Sequence, residues 1–562
     1  MKVNVKKYPY GYPMCADMPD VYDVPTFIRT FVGRYEEATA VSYRKNPTDH
    51  DAVSVSYRAF GEDIAALARA LYARGMHGAH CAVVGGASYE WEALFFAIQS
   101  IGAVMVPLDR EWGTEEVNAA IATAECTYLF YDGELEEKFR DTPCEKFRMK
   151  CEGEGSVLSL IAEGQKDGRS LDFPYEPDSF AMSLLAFTSG TTGKGKGVML
   201  SQGGMITDAI AGRRLIHAQG KTIMTLPPHH TYGMTIAFLA TFASGMNVYM
   251  SSGLRYISKE MQTERPDLLI LVPLYVESFY AKIRATVERK KLGGVVRRAR
   301  RLSSCLRKCG IDLRAFFFRK ILSAFGGNLR YIICGGAPLR PELVRAFEDF
   351  GVTIINGYGI TECSPLVACN RDRLASADTV GFPLPCLEVR VADPDAEGNG
   401  EVCVKGENVM LGYYHDAAAT AAAFDGDGYF RTGDIGRFDP MGRLILSGRS
   451  KNLIILPNGK NVYPEEIETA LGAADGVSEV VVYEGIGKDD PTRHAIVAEI
   501  YPTEDFLTLS DEELNKHFHR VIERYNRTAV SYRKIDLLRV RRTEFPKNTL
   551  RKIQRFRIDT SI

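Results

Sequence analysis

The sequence lacks several features that would direct it to particular classes of protein. It has twelve cysteines but no CxxC pair, and Cys305 and Cys309 have no histidine pair nearby, so a zinc site is not expected. Lysine and arginine number 69 against 71 aspartates and glutamates, so no overall field favours nucleic acid as a partner. Apolar runs such as residues 268–272 are far shorter than the roughly 20 residues of a membrane-spanning helix.

The first residues, MKVNVKKYPYGYPM, lack the apolar segment of a secretory signal. Together with free thiols, this favours a reducing cytoplasm as the location. The length of 562 residues exceeds what one hydrophobic core usually supports, so at least two domains are expected. Neither internal repeats nor low-complexity segments interrupt an ordinary globular composition.

Helical and strand patterns alternate along much of the chain. Residues 61–75 place apolar side chains at helical spacing, and strand patterns follow at 80–84, 103–107 and 127–131. The same alternation returns with strand patterns at 221–226, 247–250, 268–272, 331–334 and 353–355. Such alternation predicts an α/β fold built on parallel sheets.

The pattern changes in the last third of the chain. From about Gly381, short alternating segments separated by Gly, Asp and Pro predict a small antiparallel or β-barrel-like subdomain. After Ser450, helix patterns at 464–471 and 511–525 and strand patterns at 480–483 and 495–500 predict a separate α+β domain. We therefore expect a large domain over residues 1–449, with parallel-sheet α/β subdomains, and a small C-terminal domain over residues 450–562.

The most informative motif is TSGTTGKGKGVML, residues 188–200, which follows a strand pattern at 180–187. Small residues let backbone N–H groups close around an anion, hydroxyls add donors, and Lys194 and Lys196 add positive charge. The motif begins like the P-loop pattern GxxxxGK[ST], but Gly197 stands where the Mg²⁺-binding hydroxyl would be, which argues against a P-loop NTPase. A flexible linker is the other interpretation.

Two further motifs have residue types that suit a nucleotide site. NGYGITE, residues 356–362, follows a strand pattern, and its glycines would allow a tight turn in which Tyr358 lies flat on a base. Thr361 then offers a phosphate donor and Glu362 a Mg²⁺ ligand, although a turn with a capping threonine would look the same. RTGD ends in Asp434, whose carboxylate suits a ribose diol or an Asx-turn.

Two basic segments remain. Lys552 lies in the tail FPKNTLRKIQR, which taken alone is a solvated charge run. Between Lys282 and Lys320, fourteen lysines and arginines stand against only Glu288 and Asp312. This segment indicates either a peripheral contact with an anionic membrane or a solvated helical face with a buried aromatic edge.

In this order and spacing, the motifs resemble those of the adenylate-forming superfamily, which includes acyl-CoA synthetases, firefly luciferases and the adenylation domains of peptide synthetases. The resemblance covers essentially the whole chain. The segments PPHHTYG and FGGNLRYIICGGAPL, with the basic stretch before the latter, are most similar to bacterial long-chain fatty acyl-CoA synthetases.

The resemblance implies an activity and its co-substrates. ATP with Mg²⁺ would convert a carboxylic acid, expected to be a medium- or long-chain fatty acid, into an acyl-adenylate with release of pyrophosphate. The acyl group would then pass to the thiol of coenzyme A. Transfer to an acyl carrier protein, or an aryl or bile-type acid as the substrate, are the alternatives.

The resemblance also assigns residues to the site. Those implied to bind ATP are Thr188, Ser189, Gly190, Thr191, Thr192 and Lys196 at the phosphates, Gly335, Gly336, Ala337, Pro338, Gly357 and Tyr358 at the adenine, and Asp434 with Arg449 at the ribose. Thr361 is implied to contact the α-phosphate, and Glu362 to hold Mg²⁺. Lys552 matches the catalytic lysine, and Lys451 matches the hinge about which a mobile C-terminal domain rotates.

The acyl pocket is assigned to residues 227–245, PPHHTYGMTIAFLATFASG. His230 is implied to act in catalysis and to contact the substrate. It stands where peptide-synthetase adenylation domains carry an aspartate for the amino acid's ammonium group, so an amino acid is not the expected substrate. The other residues assigned to the substrate are Tyr232, Gly233 and Met234. The apolar run that follows suits an acyl-chain wall or a core helix, and no third metal ligand stands near His229 and His230 in the sequence.

Two positions depart from the family pattern. Gly195 stands where proline is usual, which raises the entropy lost when the loop closes. Arg551 stands where glycine usually precedes the catalytic lysine, which leaves the conformation of that turn open. Neither departure removes a catalytic group.

Overall fold

The structure, a computed structural model, describes residues 18–166, 168–188, 196–371, 374–456, 460–487, 494–547 and 553–562. The strands in chain order are β1 (Thr39–Tyr43), β2 (Val53–Ser56), β3 (His80–Val84), β4 (Val104–Leu108), β5 (Tyr128–Asp132), β6 (Glu145–Met149), β7 (Met182–Thr188), β8 (Lys196–Ser201), β9 (Lys221–Met224), β10 (Asn247–Met250), β11 (Leu268–Leu271), β12 (Tyr331–Cys334), β13 (Thr353–Gly359), β14 (Leu366–Cys369), β15 (Phe382–Pro383), β16 (Leu387–Ala392), β17 (Gly400–Gly406), β18 (Gly412–Tyr413), β19 (Phe430–Phe438), β20 (Leu444–Arg449), β21 (Ile454–Ile455), β22 (Asn461–Val462), β23 (Val477–Ile486), β24 (His494–Pro502) and β25 (Leu537–Val540).

The α-helices in chain order are α1 (Val24–Tyr35), α2 (Tyr57–Ala73), α3 (Tyr89–Ser100), α4 (Thr114–Thr123), α5 (Val157–Gly164), α6 (Gln202–Leu215), α7 (Ala240–Ala243), α8 (Ile257–Glu264), α9 (Pro273–Arg289), α10 (Gly293–Lys308), α11 (Arg314–Phe317), α12 (Arg319–Leu322), α13 (Pro341–Phe350), α14 (Ala417–Ala423), α15 (Pro464–Gly472) and α16 (Asp511–Thr528). A π-helix spans Tyr232–Leu239. Short 3₁₀ helices span Gly133–Phe139, Ser323–Phe325, Thr361–Cys363, Ser450–Asn452, Phe506–Thr508, Ser531–Arg533 and Arg555–Arg557. No helix in the described ranges is both long enough and apolar enough to cross a bilayer.

The chain forms two compact units. The large unit contains the described chain up to Glu388 together with Val404–Phe430, and the small unit contains Val389–Cys403 together with Arg431–Ile562. The boundary between residues 449 and 450 that the sequence suggests stays a prediction.

The large unit is built on two mostly parallel sheets. One has nine strands in the order β15-β14-β13-β12-β11-β9-β10-β1-β2, and the other has seven in the order β18-β8-β7-β4-β3-β5-β6. The inner strands pair in parallel, whereas β1–β2, β13–β14–β15 and β7–β8 pair antiparallel. The predicted α/β class is therefore confirmed, and β3, β10 and β12 begin and end at the predicted residues.

A buried aromatic cluster connects the helices of the large unit. Phe27 on α1, Phe60 on α2 and Phe96 on α3 meet Phe238 and Phe242, and the ring centroids of Phe96 lie 5.5 Å from those of both Phe238 and Phe242. Helix α3 has no polar face because every one of its residues is buried, as expected for a helix that is covered on all sides.

The small unit contains most of the four-stranded sheet β16-β17-β19-β20 and all of the three-stranded sheet β23-β24-β25. The four-stranded sheet lies in the segment after Gly381, for which the sequence predicts a small antiparallel or β-barrel-like subdomain. The three-stranded sheet packs with α15 and α16 around a core that includes Ile467, Val482 and Phe518. Helix α16 begins at a capping box formed by Ser510 and Glu513, which fixes its start where the sequence predicts it.

Candidate active site

The predicted phosphate loop connects β7 to β8 in the seven-stranded sheet. These strands pair antiparallel, with Thr188 at the end of β7 opposite Lys196 at the start of β8. A P-loop leads from a strand into a helix, so the strand after this loop is a second departure from that motif. The positions between the two strands, including Ser189, Gly190, Thr191, Thr192 and Gly195, lie outside the described residues.

One tyrosine contacts both the lysine of this loop and the predicted Mg²⁺ ligand. The Nζ atom of Lys196 lies 4.5 Å from the ring centre of Tyr413, and the Tyr413 hydroxyl donates a hydrogen bond of 3.1 Å to Oε1 of Glu362. Burial first, and the charge of Glu362 second, raise the pKa of Tyr413, so the phenol keeps the proton it donates. We call Lys196, Tyr413 and Glu362 the phosphate-side cluster.

Sequence inspection missed Tyr413 because 51 positions separate it from Glu362. Strand β18 brings it to the site by pairing antiparallel with β8, in which Tyr413 lies opposite Val198. The only short-range signal is the segment LGYYHD itself, which is unremarkable without this pairing.

A buried polar hub holds the 3₁₀ helix that carries Thr361 and Glu362. The side-chain amide of Asn408 lies within hydrogen-bond distance of Asp208 Oδ1 at 2.8 Å and of the carbonyl oxygens of Cys363 and Leu366 at 2.9 and 3.0 Å. Both Asn408 and Asp208 are buried. The backbone N–H of Met410 also donates a hydrogen bond of 2.8 Å to the carbonyl oxygen of Glu362, which further holds the 3₁₀ helix.

Asp208 reaches this hub from α6. Its Oδ2 accepts a hydrogen bond of 3.2 Å from the backbone of Leu366. Burial raises the pKa of Asp208 well above its usual range, while the hydrogen bonds from Asn408 and Leu366 oppose that effect. The hydrogen bonds from Asn408 and Leu366 therefore favour the charged form of Asp208, which its burial disfavours.

Replacing Asn408 by alanine should lower the thermal stability of the protein. The change leaves buried oxygens of Asp208, Cys363 and Leu366 without their donor, and each unsatisfied buried group costs roughly 1–3 kcal/mol. Thermal unfolding followed by circular dichroism measures the effect. Asn328→Ala, a change at an exposed asparagine, is the matched control and should leave the melting temperature almost unchanged. Equal melting temperatures for the two variants would contradict the assigned role of Asn408.

The segment around Tyr358 differs from its prediction. The tight turn expected in NGYGITE is wrong, because β13 continues through Gly359 and pairs antiparallel with β14, placing Gly357 opposite Cys369 and Tyr358 opposite Ala368. Strand β14 supplies backbone partners that the local sequence does not reveal. The side chain of Tyr358 is only 7% exposed, and its stacking on a base stays a prediction.

The predicted adenine loop follows β12. Gly336 has a positive φ of 86°, and Gly336, Ala337 and Pro338 are exposed, so the loop presents backbone to its surroundings. Tyr232 lies beneath Gly335, since a Cβ atom added there would be 3.5 Å from the Tyr232 hydroxyl.

The hydroxyl of Tyr232 lies 3.3 Å from the carbonyl oxygens of both Leu271 and Ile333. Burial raises its pKa well above the usual range, so it remains a neutral donor. Tyr232 thus ties the predicted acyl segment to the ends of β11 and β12.

Most of the predicted acyl segment packs tightly. Met234 is fully buried, and a Cβ atom added to Gly233 would be 2.4 Å from the carbonyl oxygen of Pro227, so only glycine fits there. Phe238 and Phe242 belong to the aromatic cluster. The sequence suggests either an acyl-chain wall or a core helix for this apolar run. The core-helix interpretation holds for its two phenylalanine side chains.

A histidine–carboxylate contact spans the two sheets. Nε2 of His229, which follows β9, lies 3.5 Å from Oδ2 of Asp109, which follows β4, and both side chains are buried. The ring centroids of His229 and His230 are 4.2 Å apart. Sequence inspection found no third polar partner for the histidines because Asp109 is distant in the chain. Within the described chain, however, no group of three His, Cys, Asp or Glu residues is arranged to hold a metal ion.

In the small unit, Asp434 and Arg449 lie opposite each other on β19 and β20. The Nε atom of Arg449 is 2.7 Å from Oδ1 of the buried Asp434. Lys451 follows in a 3₁₀ helix, and partial desolvation first, then the nearby Arg449, lower its pKa although the residue is exposed as a whole. The structure therefore brings Asp434 and Arg449 together as a pair beside Lys451.

Lys552 and Arg551 lie outside the described residues, but the segment just after them is anchored. Arg555 forms an ion pair with Glu468 on α15 and donates a 3.0 Å hydrogen bond to the carbonyl oxygen of Val482. Sequence inspection interpreted this tail as a solvated charge run, whereas Arg555 is in fact partly buried.

Comparisons with known proteins show the family to which the chain belongs. A family model described as "AMP-binding enzyme" matches residues 28–414, and one described as "AMP-binding enzyme C-terminal domain" matches residues 451–558. A relative from Mycobacterium bovis named long-chain-fatty-acid–CoA ligase FadD15 is 30% identical over 494 residues, which cover 80% of each chain. A relative from Aromatoleum aromaticum named indoleacetate–CoA ligase is 29% identical over 472 residues, covering 80% of this chain and 84% of the relative. The crystal structure of ATP-bound MatB from Rhodopseudomonas palustris has the same fold, with a TM-score of 0.73, 23% identity and coverage of 94% of this chain and 97% of that one.

Proposed function

Because the chain belongs to the AMP-binding enzyme family, within the adenylate-forming superfamily, we propose that it is an AMP-forming acyl-CoA synthetase acting on a medium- or long-chain fatty acid. It joins the acid to ATP as an acyl-adenylate with release of pyrophosphate, and then transfers the acyl group to coenzyme A with release of AMP. The observation that carries the proposal is the phosphate-side cluster, which places a lysine and a carboxylate on one tyrosine beside the predicted phosphate loop.

In the first half-reaction, the carboxylate of the acid attacks the α-phosphorus of ATP and pyrophosphate leaves. The enzyme's work is positioning and neutralisation of charge. Lys196 and the loop that begins at Thr188 bind the β- and γ-phosphates, and Thr361 contacts the α-phosphate. We assign to Lys552 the neutralisation of the negative charge that increases between the attacking carboxylate and the α-phosphate.

The residues around Glu362 fit a Mg²⁺ ion that arrives with ATP. Mg²⁺ in nucleotide sites is usually held by one or two carboxylates and the phosphates rather than by a cage of acidic residues. Glu362 supplies one such carboxylate, and the described chain contains no acidic cage. A bound ion would offset the charge of pyrophosphate, and the hydrogen bond from the Tyr413 hydroxyl would fix the orientation of the Glu362 carboxylate.

We assign the ribose and the adenine of ATP to two further groups of residues. Asp434, held by Arg449, binds the ribose hydroxyls, and Tyr358 with Gly335, Gly336, Ala337, Pro338 and Gly357 forms the adenine site. His230 contacts the acid and takes part in catalysis at the mouth of the acyl pocket, with Tyr232, Gly233 and Met234 next to it. The contact between His229 and Asp109 holds the neighbouring ring in place.

The second half-reaction needs space for a thiol where Lys552 stands in the first. We propose that residues 450–562 move as a mobile domain against residues 1–449, with Lys451 as the hinge. The rotation withdraws Lys552 and opens the path for coenzyme A.

Two other acceptors or substrates fit the same chemistry. The acyl group could pass to an acyl carrier protein, and the relative named indoleacetate–CoA ligase supports an aryl acid as a second candidate substrate.

We place the enzyme in the cytoplasm, without a nucleic-acid partner, and with at most a peripheral contact with membranes through the basic segment 282–320.

Exchange of labelled pyrophosphate into ATP tests the proposal. Octanoate or palmitate with Mg²⁺ should support rapid exchange, whereas acetate should not, and benzoate and indoleacetate test the aryl alternative. Adding coenzyme A or a carrier protein to the acyl-adenylate then identifies the acceptor by the thioester that forms. If no acid supports exchange, the chain is instead a nucleotide-binding protein without catalysis, and the proposed function is wrong.

A further inference from the structure

The basic segment 282–320 carries a concentration of charge that the proposed reaction does not use. It has a net charge of +12 in a chain whose overall net charge is −2. Four of its arginines form ion pairs, namely Arg284, Arg300, Arg307 and Arg314. No ion pair within the described chain involves the other ten cations, all of which are exposed: Lys282, Arg289, Lys290, Lys291, Arg297, Arg298, Arg301, Lys308, Arg319 and Lys320.

Helix α10, at the centre of this segment, is attached to the protein along one side only. Arg300 donates a hydrogen bond of 2.7 Å to Asp349, and Arg307 lies 3.5 Å from Glu348, both acids being on α13. Ser303, between these arginines, is the one buried residue of α10. The attached side of α10 thus combines the paired arginines and Ser303 with the half-buried Val296 and Leu306, whereas the residues on its other side are exposed.

The open side of the segment also exposes large apolar side chains. Val295 is 60% exposed and Leu302, two helical turns later, is 51% exposed, so both lie on the same face. Phe316, on α11, is 73% exposed, the highest value of any large hydrophobic residue in the described chain. Leu292, Ile311 and Leu313 are exposed as well, so that six of the fifteen exposed large hydrophobic side chains fall within 25 consecutive positions.

Arginine and apolar side chains alternate on this surface. Arg298 lies three positions after Val295 and four before Leu302, on the same face of α10, and Arg301 lies one turn after Arg298. Cations therefore flank the apolar side chains. A helix with apolar side chains between cations is the type that lies in the interface of a bilayer, where the apolar groups enter the acyl region and the cations meet lipid phosphates.

We propose that α10 and α11 form a docking surface for an anionic lipid bilayer, with Val295, Leu302 and Phe316 inserting between lipid headgroups that the unpaired cations bind. We call it the lipid-facing surface. Each lysine or arginine near an anionic leaflet adds to the attraction, so the ten cations that form no ion pair are sufficient for reversible binding. The docking does not require the proposed ligase activity, although a fatty acid substrate would be concentrated in the same bilayer.

Nucleic acid is the other partner that a basic helix commonly binds. The exposed apolar side chains favour lipid, because a phosphate backbone offers no apolar region for aliphatic groups and its binding depends on cations alone. An anionic membrane satisfies both the charges and the apolar side chains of this surface.

Sedimentation of the full-length protein with vesicles tests the proposal, in the absence of ATP, acid and coenzyme A. Vesicles of equal parts phosphatidylglycerol and phosphatidylcholine should bind the protein, whereas pure phosphatidylcholine should bind it weakly or not at all. The double change R298E/R301E should lower the partition coefficient at least tenfold, and the triple change V295S/L302S/F316S should lower it severalfold while keeping all cations.

The matched control is R524E/V530S, which changes an exposed arginine and an exposed valine of the small unit and should bind like the unaltered protein. Circular dichroism checks that each variant is folded. Equal binding to both kinds of vesicle, equal binding of the control and test variants, or binding of single-stranded RNA without binding of vesicles would each overturn the proposal. Because pyrophosphate exchange is measured separately without vesicles, a failure of docking leaves the proposed ligase activity untouched, and the reverse also holds.

Discussion

Replacing Lys552 by alanine is expected to slow acyl-adenylate formation by about 10²- to 10³-fold, the cost of removing one preorganised donor from developing charge. Formation of the thioester from supplied acyl-adenylate should remain close to that of the unaltered enzyme. We expect the asymmetry because, in the proposed mechanism, Lys552 neutralises charge at the α-phosphate as pyrophosphate leaves and is then withdrawn from the path of the thiol.

The anchoring of the neighbouring chain gives this prediction a structural basis. Arg555, three residues beyond Lys552, pairs with Glu468 on α15, so the tail is attached to the small unit at that point. A lysine on an attached segment loses less side-chain and backbone entropy when it engages its substrate than one on a free tail. The small unit therefore anchors the tail three positions after Lys552.

Two assays separate the half-reactions. Pyrophosphate exchange reports the first, and release of AMP from purified acyl-adenylate in the presence of coenzyme A reports the second. Lys534→Ala, at an exposed lysine of the same unit, serves as the control and should be active in both. A comparable loss in both half-reactions for Lys552→Ala would refute the role assigned to that lysine.

Replacing Glu362 by glutamine is expected to reduce exchange by about 10²-fold or more and to raise the Mg²⁺ concentration needed for half-maximal binding of ATP. The neutral amide keeps the size of the side chain but removes the charge that a hard cation prefers. Isothermal titration of ATP at a series of Mg²⁺ concentrations measures the binding directly, without turnover.

Tyr413→Phe separates orientation of Glu362 from its charge. The variant keeps the ring beneath Lys196 but removes the hydrogen bond to Glu362, which for a charged acceptor contributes about 1.5–3 kcal/mol. We expect a smaller effect than for Glu362→Gln, in the same direction on the Mg²⁺ requirement. If Tyr413→Phe changes exchange without changing the Mg²⁺ dependence of ATP binding, its proposed action through Glu362 is wrong.

Much of the fold could be predicted from periodicity. Parallel strands in the interior of a sheet are buried on both faces and give short apolar runs, so β3, β10 and β12 were delimited to the residue. The pattern failed at NGYGITE, where glycines suggested a turn. Strand β14 pairs with Gly357 and Tyr358 there, and the pairing of strands distant in the chain outweighs local preference.

The order and spacing of the motifs were enough to identify the superfamily and the reaction it carries out, because residue types that bind phosphate, metal and ribose have to appear whatever surrounds them. The positions of those residues depend on contacts that no local pattern contains. Tyr413 meets Glu362 only through the pairing of β18 with β8, Asn408 reaches Asp208 from 200 positions away, and His229 finds Asp109 across two sheets. Such contacts arise from the packing of whole sheets and helices, whose energy is shared among many side chains, and only the folded chain shows which polar groups are buried together.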